Sequence, residues 1–241
     1  MFFFYRKKSE YSDFSAVGVD MHSHLIPGVD DGAKDVTDSV NLITGLRELG
    51  FSHLYTTPHT LLDFHPNTKE TLETGKTLLN GKLPNGITLN LSSEYYMDEG
   101  FYQQLNANCL IPLPGNRLLV ECNQISRPPD LENVFFDISI KGFQPIFAHP
   151  ERYLFLHKDF SYFQRLKDMG VELQVNALSL SDHYGKSIRL VAEKLIENDM
   201  IDFIGTDIHH VRHLETLKRV PTTKHFERLV KSGLLKNQSF I

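Results

Sequence analysis

Thiol chemistry is almost missing from this chain: its 241 residues include two cysteines, Cys109 and Cys122. Two thiols build neither a multi-thiolate zinc cluster nor a disulfide framework, so a reducing compartment is expected. No apolar run approaches the roughly 20 residues of a membrane span. The opening Met1–Tyr5 puts its apolar residues before the positive Arg6-Lys7-Lys8 and is too short for a secretory core, so a cytoplasmic location is expected. There is no basic excess either, with 25 Lys and Arg against 30 Asp and Glu, which argues against a broad nucleic-acid surface. No Pro/Ser/Gly-rich linker interrupts the chain, and residues 1–241 read as one domain with 1–15 as a polar lead-in.

What is present is ordinary globular material, 41% hydrophobic, at a length that suits one α/β barrel of typically ~250 residues. Short apolar runs at Val17–Met21, His53–Thr57, Ile87–Ser92, Leu118–Glu121, Pro145–Ala148, Glu172–Val175 and Asp202–Gly205 predict buried parallel strands. Between them lie helical patterns. Ile188, Val191, Ala192, Leu195 and Ile196 make one apolar stripe, and Leu42, Leu46 and Leu49 another, with Gly50 as the C-terminal stop. Asn67 with Glu70 predicts a capping box, and Asp130 an N-cap. Strand and helix alternate about seven times, which fits a closed barrel or an open sheet.

The 12 histidines favour the barrel. His22 and His24 follow the first strand, His59 the second, Glu94 the third, Glu121 ends the fourth, His149 follows the fifth, and Asp207 and His209 the last. A barrel draws its site from the C-terminal ends of many strands, whereas an open sheet concentrates it at one switch point. His22-Ser23-His24 and Asp207-Ile208-His209 share a spacing that points both side chains of a strand to one side. Either pair alone is a weak signal, and a single histidine is more often a core residue. Five imidazoles and several acids at one end of a sheet are costly without cations, because a buried carboxylate must be paired or coordinated. The thiolate-free donor set suits Mn²⁺, Fe²⁺ or Zn²⁺. With Asp31 the donors are too many for one ion and suit three, a cluster that makes hydroxide at neutral pH and clamps the oxygens of an in-line displacement.

The run Val19-Asp20-Met21-His22-Ser23-His24-Leu25-Ile26-Pro27-Gly28-Val29-Asp30-Asp31-Gly32-Ala33-Lys34 resembles the opening signature of the PHP (polymerase and histidinol phosphatase) superfamily. More narrowly, it resembles the bacterial tyrosine-protein phosphatases of capsular and exopolysaccharide loci. Thr57-Pro58-His59, Ser93-Glu94-Tyr95-Tyr96, Val120-Glu121, Ala148-His149-Pro150-Glu151-Arg152-Tyr153 and Gly205-Thr206-Asp207-Ile208-His209 agree in order. The resemblance implies a distorted TIM-like (β/α)7 barrel of the PHP type, with three divalent ions, Mn²⁺ before Fe²⁺, Zn²⁺ or Mg²⁺. It implies His22, His24, Glu94 and Asp207 on one ion, Glu94, Glu121 and His149 on a second, and Asp31, His59 and His209 on a third. Arg152 and Arg212 would grip the phosphoryl oxygens, with His210 and His213 as unassigned candidates for a general acid. The implied substrate is phosphotyrosine in protein, in the cytoplasmic tyrosine-rich tail of a membrane-bound autokinase.

Other chemistries fit less well. Cys122 to Arg127 leaves four intervening residues where a thiol phosphatase needs five, so Cys122 reads as core. Gly75-Lys76-Thr77 lacks the upstream glycine of a phosphate loop. His53, His65, His157, His183 and His225 read as surface or packing residues, and Lys231 and Lys236 as a solvated face. The rival activities are a small-molecule phosphoesterase such as histidinol-phosphate phosphatase and a noncatalytic phosphotyrosine-binding module.

Overall fold

The computed structural model describes residues 9–241. Met1–Lys8, on which the argument about a secretory leader rests, lie outside the described residues, as does half of the expected lead-in. All the predicted strands form. They are β1 (Val19–Asp20), β2 (His53–Thr56), β4 (Thr88–Leu91), β6 (Arg117–Glu121), β7 (Gln144–Ala148), β8 (Glu172–Asn176) and β9 (Phe203–Gly205). Two more, β3 (His59–Thr60) and β5 (Glu94–Tyr96), continue β2 and β4 beyond short breaks at Thr57-Pro58 and Ser92-Ser93. Among the described residues every strand-to-strand pairing is parallel, in the orders β1-β2-β4 and β3-β5-β6-β7-β8-β9. The curl closes through a parallel bridge between Ser23 and Ile208, where Asp207 N–H donates to His22 O at 2.8 Å and His24 N–H to Ile208 O at 3.1 Å. This is the barrel alternative.

The helices are α1 (Val36–Glu48), α2 (Lys69–Thr77), α3 (Glu99–Ala107), α4 (Leu131–Ile140), α5 (Ser161–Asp168), α6 (Lys186–Glu197), α7 (Val211–Leu217) and α8 (Lys224–Lys231). The expected stripes bury Leu42 and Leu46 of α1 and Ala192, Leu195 and Ile196 of α6. Gly50 follows α1 at φ +98°, as a C-terminal stop requires. The capping box is displaced by one residue: Thr68 and Thr71 form it. The Asn67 side chain is held elsewhere, its Nδ2 donating to Val29 O and His59 O at 2.9 and 2.8 Å and its Oδ1 accepting from the Thr71 hydroxyl at 3.4 Å. Asp130 occupies the N-cap of α4 without a side-chain hydrogen bond to it.

The strands alternate more sharply than a continuous apolar run implies. On β6 and just after it, Leu118, Val120 and Cys122 pack outward in the main core with the helices, while Leu119 joins an inner cluster with Val19, Met21, Tyr55, Leu113, Ile146, Ala148, Phe203 and Phe240. On β8, Leu173 and Val175 face the main core, so Glu172, Gln174 and Asn176 share the opposite, lumenal side. The lumen is therefore layered. Arg117 pairs with Glu172 at one end, at 2.7 Å, and its guanidinium lies 5.6 Å from the Phe203 ring and 5.7 Å from the Phe240 ring. Apolar side chains fill the middle, and the polar layer occupies the C-terminal ends of the strands.

Candidate metal centre

The two imidazoles after β1 have their tautomers set by neighbours. His22 Nδ1–H donates to Gln174 Oε1 at 3.0 Å, and His24 Nδ1–H donates to Asp30 Oδ2 at 2.7 Å. In the neutral imidazoles each Nε2 then keeps a lone pair, and the two Nε2 atoms face each other at 3.3 Å. Glu94 Oε2 lies 3.1 Å from His22 Nε2 and 3.5 Å from His24 Nε2, and Asp207 Oδ1 lies 3.3 Å from both. Four electron-rich atoms thus converge in a fully buried space, an arrangement that repels itself unless a cation sits among them.

The same logic extends in both directions from Glu94. His149 Nε2 is 2.9 Å from Glu94 Oε1 and 3.6 Å from Glu121 Oε2. His59 Nδ1 lies 3.2 Å from Glu94 Oε2 and 3.0 Å from Glu121 Oε1, yet it is buried and aligned for a hydrogen bond with neither. Asp31 Oδ1 is 3.6 Å from His59 Nε2 and 3.3 Å from His209 Nε2, while His209 Nδ1–H donates to Asp207 O at 2.9 Å. Three groups with metal-ligand spacing result: His22, His24, Glu94 and Asp207; His59, Glu94 and Glu121; and His24, Asp31, His59 and His209. All nine ligand candidates are brought together, and a His/Asp/Glu cluster of this kind could hold divalent cations.

Its electrostatics point the same way. Burial opposes charge on His24, but Asp30, Asp207 and Glu94 outweigh it and hold the imidazole well above its ordinary pKa. Burial and His24 lower His59, yet Glu94 and Glu121 bring it up to about 9. Burial would raise Glu94 and Asp207, but the imidazoles around them, His22 first in each case, pull both carboxyls well down. The site demands positive charge, which divalent ions supply more compactly than protons.

Backbone geometry is spent on the same residues. His149 and Asp207 adopt φ +33° and +51°, left-handed values that cost a non-glycine residue on the order of 1–3 kcal/mol. Two glycines allow the close approach of the elements. A Cβ on Gly205 would lie 2.6 Å from His22 Cβ, and one on Gly32 would lie 2.4 Å from His24 O.

Arg152 reaches the cluster: its Nη1 donates to Asp207 Oδ2 at 2.9 Å, and its guanidinium lies 4.6 Å from the Tyr184 ring centre. Among the described residues Arg212 makes no hydrogen bond or ion pair with a cluster residue. It is exposed on α7 and lines a groove with Asn41, Thr44, Gly45 and Glu48 of α1, which contains no cluster residue. Residues 211–217 form a helix whose Leu214 packs towards Gly45, and this turns Arg212 towards α1. Cys122 is buried, with its thiol pushed up by burial and by Glu121, which makes it inert as a nucleophile. Gly75-Lys76-Thr77 lies within α2, as the rejection of a phosphate loop requires. A cavity of about 610 Å³ opens among residues of α2, β4 and 111–114, and no cluster residue lines it.

Sequence reasoning missed the residues that orient the ligands. Gln174 Oε1 accepts from His22 and from the His149 backbone N–H, and Asn176 Nδ2 donates to Asp207 Oδ2 at 2.6 Å. Their signal was the polar alternation Glu172, Gln174, Asn176 within a strand. Asp30, beside Asp31, orients His24 and accepts the His59 N–H at 3.0 Å. Two histidines read as peripheral stand near the site: His65 stacks 5.9 Å from His59, and His183 lies 4.7 Å from Tyr184. Lys236 is no free solvated residue, since it pairs with Glu172 and Asp202 at 2.8 Å.

Residues 18–237 match the sequence family described as capsular polysaccharide synthesis, CpsB/CapC. The tyrosine-protein phosphatase YwqE of Bacillus subtilis is 28% identical over 198 residues, covering 80% of this chain and 78% of that protein. The tyrosine-protein phosphatase CpsB of Streptococcus agalactiae is 20% identical over 202 residues, covering 80% and 83%. Among solved structures, one described as YwqE from Bacillus subtilis and CpsB from Streptococcus pneumoniae, metal-dependent tyrosine phosphatases, superposes with a TM-score of 0.75 at 24% identity, over 92% of this chain and 96% of that one. The phosphotriesterase homology protein from Escherichia coli, with phosphate in its active site, gives 0.54 at 10% identity over 92% and 94%. At these identities the structural likenesses speak for the barrel fold.

Proposed function

Because the chain belongs to the CpsB/CapC family of capsular polysaccharide synthesis, we propose that it is a metal-dependent protein-tyrosine phosphatase. The observation that carries this reading is the gathering of nine His, Asp and Glu side chains, Glu94 among them, into one cluster beside the guanidinium of Arg152. The names of the relatives support phosphotyrosine as the substrate class. The acting unit would be a single domain over residues 1–241, in the cytoplasm. Among the described residues no helix is long and apolar enough to cross a membrane. The physiological substrate would be the tyrosine-rich tail of a membrane-bound autokinase.

His22, His24, Glu94 and Asp207 would hold one ion, Glu94, Glu121 and His149 a second, and Asp31, His59 and His209 a third, with Mn²⁺ the metal. Bound there, divalent ions supply Lewis acidity and a nucleophile at neutral pH. The chain's own residues do the rest. Glu94 spans two groups because its Oε2 faces His22 and His24 while Oε1 faces His149. Gln174 and Asp30 keep the Nε2 lone pairs of His22 and His24 turned inward. Arg152, 21% exposed, presents a planar fork suited to phosphoryl oxygens. A tyrosyl leaving group has a parent pKa near ~10, so its departure needs less protonation than that of an alkyl alcohol. Arg212, which lines the groove beside α1, is given no role in this reading.

The test is side-by-side turnover of a phosphotyrosyl peptide and histidinol phosphate, with Mn²⁺ and after chelation. Preference for the peptide, lost on chelation and restored by Mn²⁺, is expected. Preference for histidinol phosphate would overturn the substrate, and chelator-resistant turnover would overturn the metal dependence.

A further inference from the structure

With Arg212 lining the groove beside α1, Arg152 is the one arginine among the described residues that pairs with a cluster residue, and the side chains beside it form an arc around Asp207 and His209. The Tyr184 ring lies against the Arg152 guanidinium, His183 lies 4.7 Å from Tyr184, His213 lies 4.8 Å from His183, and His213 lies 6.3 Å from His209. These residues come from two separate elements, the segment after β8 and the first turn of α7, so the arc is a tertiary construction.

The donors on this arc are unused. His213 Nδ1 accepts the His209 backbone N–H at 3.3 Å, which places the ring proton on Nε2. No acceptor for that N–H is found among the described residues, nor for the His183 ring. Of the Arg152 nitrogens, Nη1 alone is engaged, by Asp207. Three nitrogen-bearing groups with free donors therefore stand beside the candidate ligands Asp207 and His209, in a region where Arg152 is 21% exposed and His183 is open to solvent.

We infer that His183 and His213 supply, with Arg152, the hydrogen-bond donors that hold the non-bridging oxygens of the phosphoryl group, in the role expected of a second arginine. This rests on the phosphatase reading and adds to it the residues that contact the phosphate. An imidazole N–H donates in either protonation state, so the contact does not depend on titration.

The experiment is titration of the metal-loaded protein with inorganic phosphate by calorimetry, for wild type, His183→Ala, His213→Ala and Arg212→Ala. A hydrogen bond to a charged group, worth ~1.5–3 kcal/mol, corresponds to a loss of about ten-fold or more per imidazole. Arg212→Ala should bind as wild type does, and KM for the phosphotyrosyl peptide should follow phosphate affinity in each variant. The histidine ¹⁵N shifts of Zn²⁺-loaded wild type, followed during the same titration, give a readout free of mutation. Should His213→Ala lose metal or fold poorly, His183→Ala and the shifts decide. Unchanged phosphate affinity in His183→Ala with unmoved imidazole shifts, no phosphate binding at all, or a loss in Arg212→Ala equal to that of the histidine variants each overturns the inference. Phosphate binding through these imidazoles without peptide turnover would instead overturn the proposed function and leave the inference standing.

Discussion

Replacing Asp30 by asparagine separates a residue that orients a ligand from its neighbour Asp31, proposed as a ligand itself. Asp30 Oδ2 accepts from His24 Nδ1 at 2.7 Å and from His59 N at 3.0 Å, while Oδ1 accepts from Gly32 N at 3.0 Å. An amide in that place must turn its NH₂ towards one set of donors or the other, so at least one donor meets a donor. If the NH₂ faces His24, the imidazole reverses its tautomer and Nε2 acquires the proton that blocks coordination. Loss of a hydrogen bond to a charged group costs ~1.5–3 kcal/mol, which at ~1.36 kcal/mol per decade is about 10–100-fold in affinity, the range seen when such orienting partners are removed. The assay is equilibrium dialysis against graded Mn²⁺ with metal counted by mass spectrometry. Asp30→Asn should weaken the ion that uses His24 by that factor. Asp31→Asn, whose side chain is 64% exposed, should lose the ion shared with His59 and His209. In the metal-free protein, burial would raise Asp30, but His24 and His59 hold it down at about 2 against an ordinary 3.8, a difference of roughly 2.4 kcal/mol. Because the folded pKa is depressed, that stability is present above pH 3.8, is lost as pH falls towards 2, and should vanish in Asp30→Asn. Wild-type affinity at every site in Asp30→Asn would refute the tautomer argument.

Further tests address the scaffold. Gly32→Ala places a Cβ against the His24 backbone, which cannot give way as a side chain can, so metal affinity should fall together with about 1–3 kcal/mol of stability; retained binding in titrations would contradict the close packing. Asp20 is raised by burial from 3.8 to about 6 despite accepting from Thr206, so in chelated protein the wild type should lose up to ~3 kcal/mol relative to Asp20→Asn as pH rises from 4 to 6, measured by urea unfolding. Phe240→Ala empties the apolar middle of the lumen, where its backbone oxygen also accepts from Tyr55 Oη at 2.8 Å. A loss of about 3–5 kcal/mol in thermal or denaturant unfolding is expected, with metal content retained. Cys122→Ala should keep phosphatase turnover, since the thiol is buried and pushed up in pKa; loss of turnover in well-folded protein would reopen thiol chemistry.

The ligand candidates were legible because their chemistry is local. A donor at the end of an apolar strand in a parallel βα array must emerge on the C-terminal face, whatever the packing of the helices, and His22, His24, Glu94, Glu121, His149 and Asp207 all do. Spacing of two residues placed His22 beside His24 and Asp207 beside His209 for the same reason. Strand number followed from the alternation, although the breaks that make β3 and β5 separate from β2 and β4 did not.

Whatever depends on direction after a strand ends was decided by tertiary structure. Arg212 and His213 are adjacent in sequence, yet the helical turn of α7 and the contact of Leu214 with Gly45 send one towards α1 and the other towards His183 and His209. The tautomers of His22 and His24 depend on Gln174, 152 residues away, and on Asp30, six residues away. The amino-acid sequence by itself determined which donors reach one end of the barrel, because strand periodicity and parallel order act along the chain. Which of them face one another, which proton each imidazole keeps and which cation stands beside the cluster depended on the closure of β1 against β9, a contact between segments nearly two hundred residues apart that no local preference encodes.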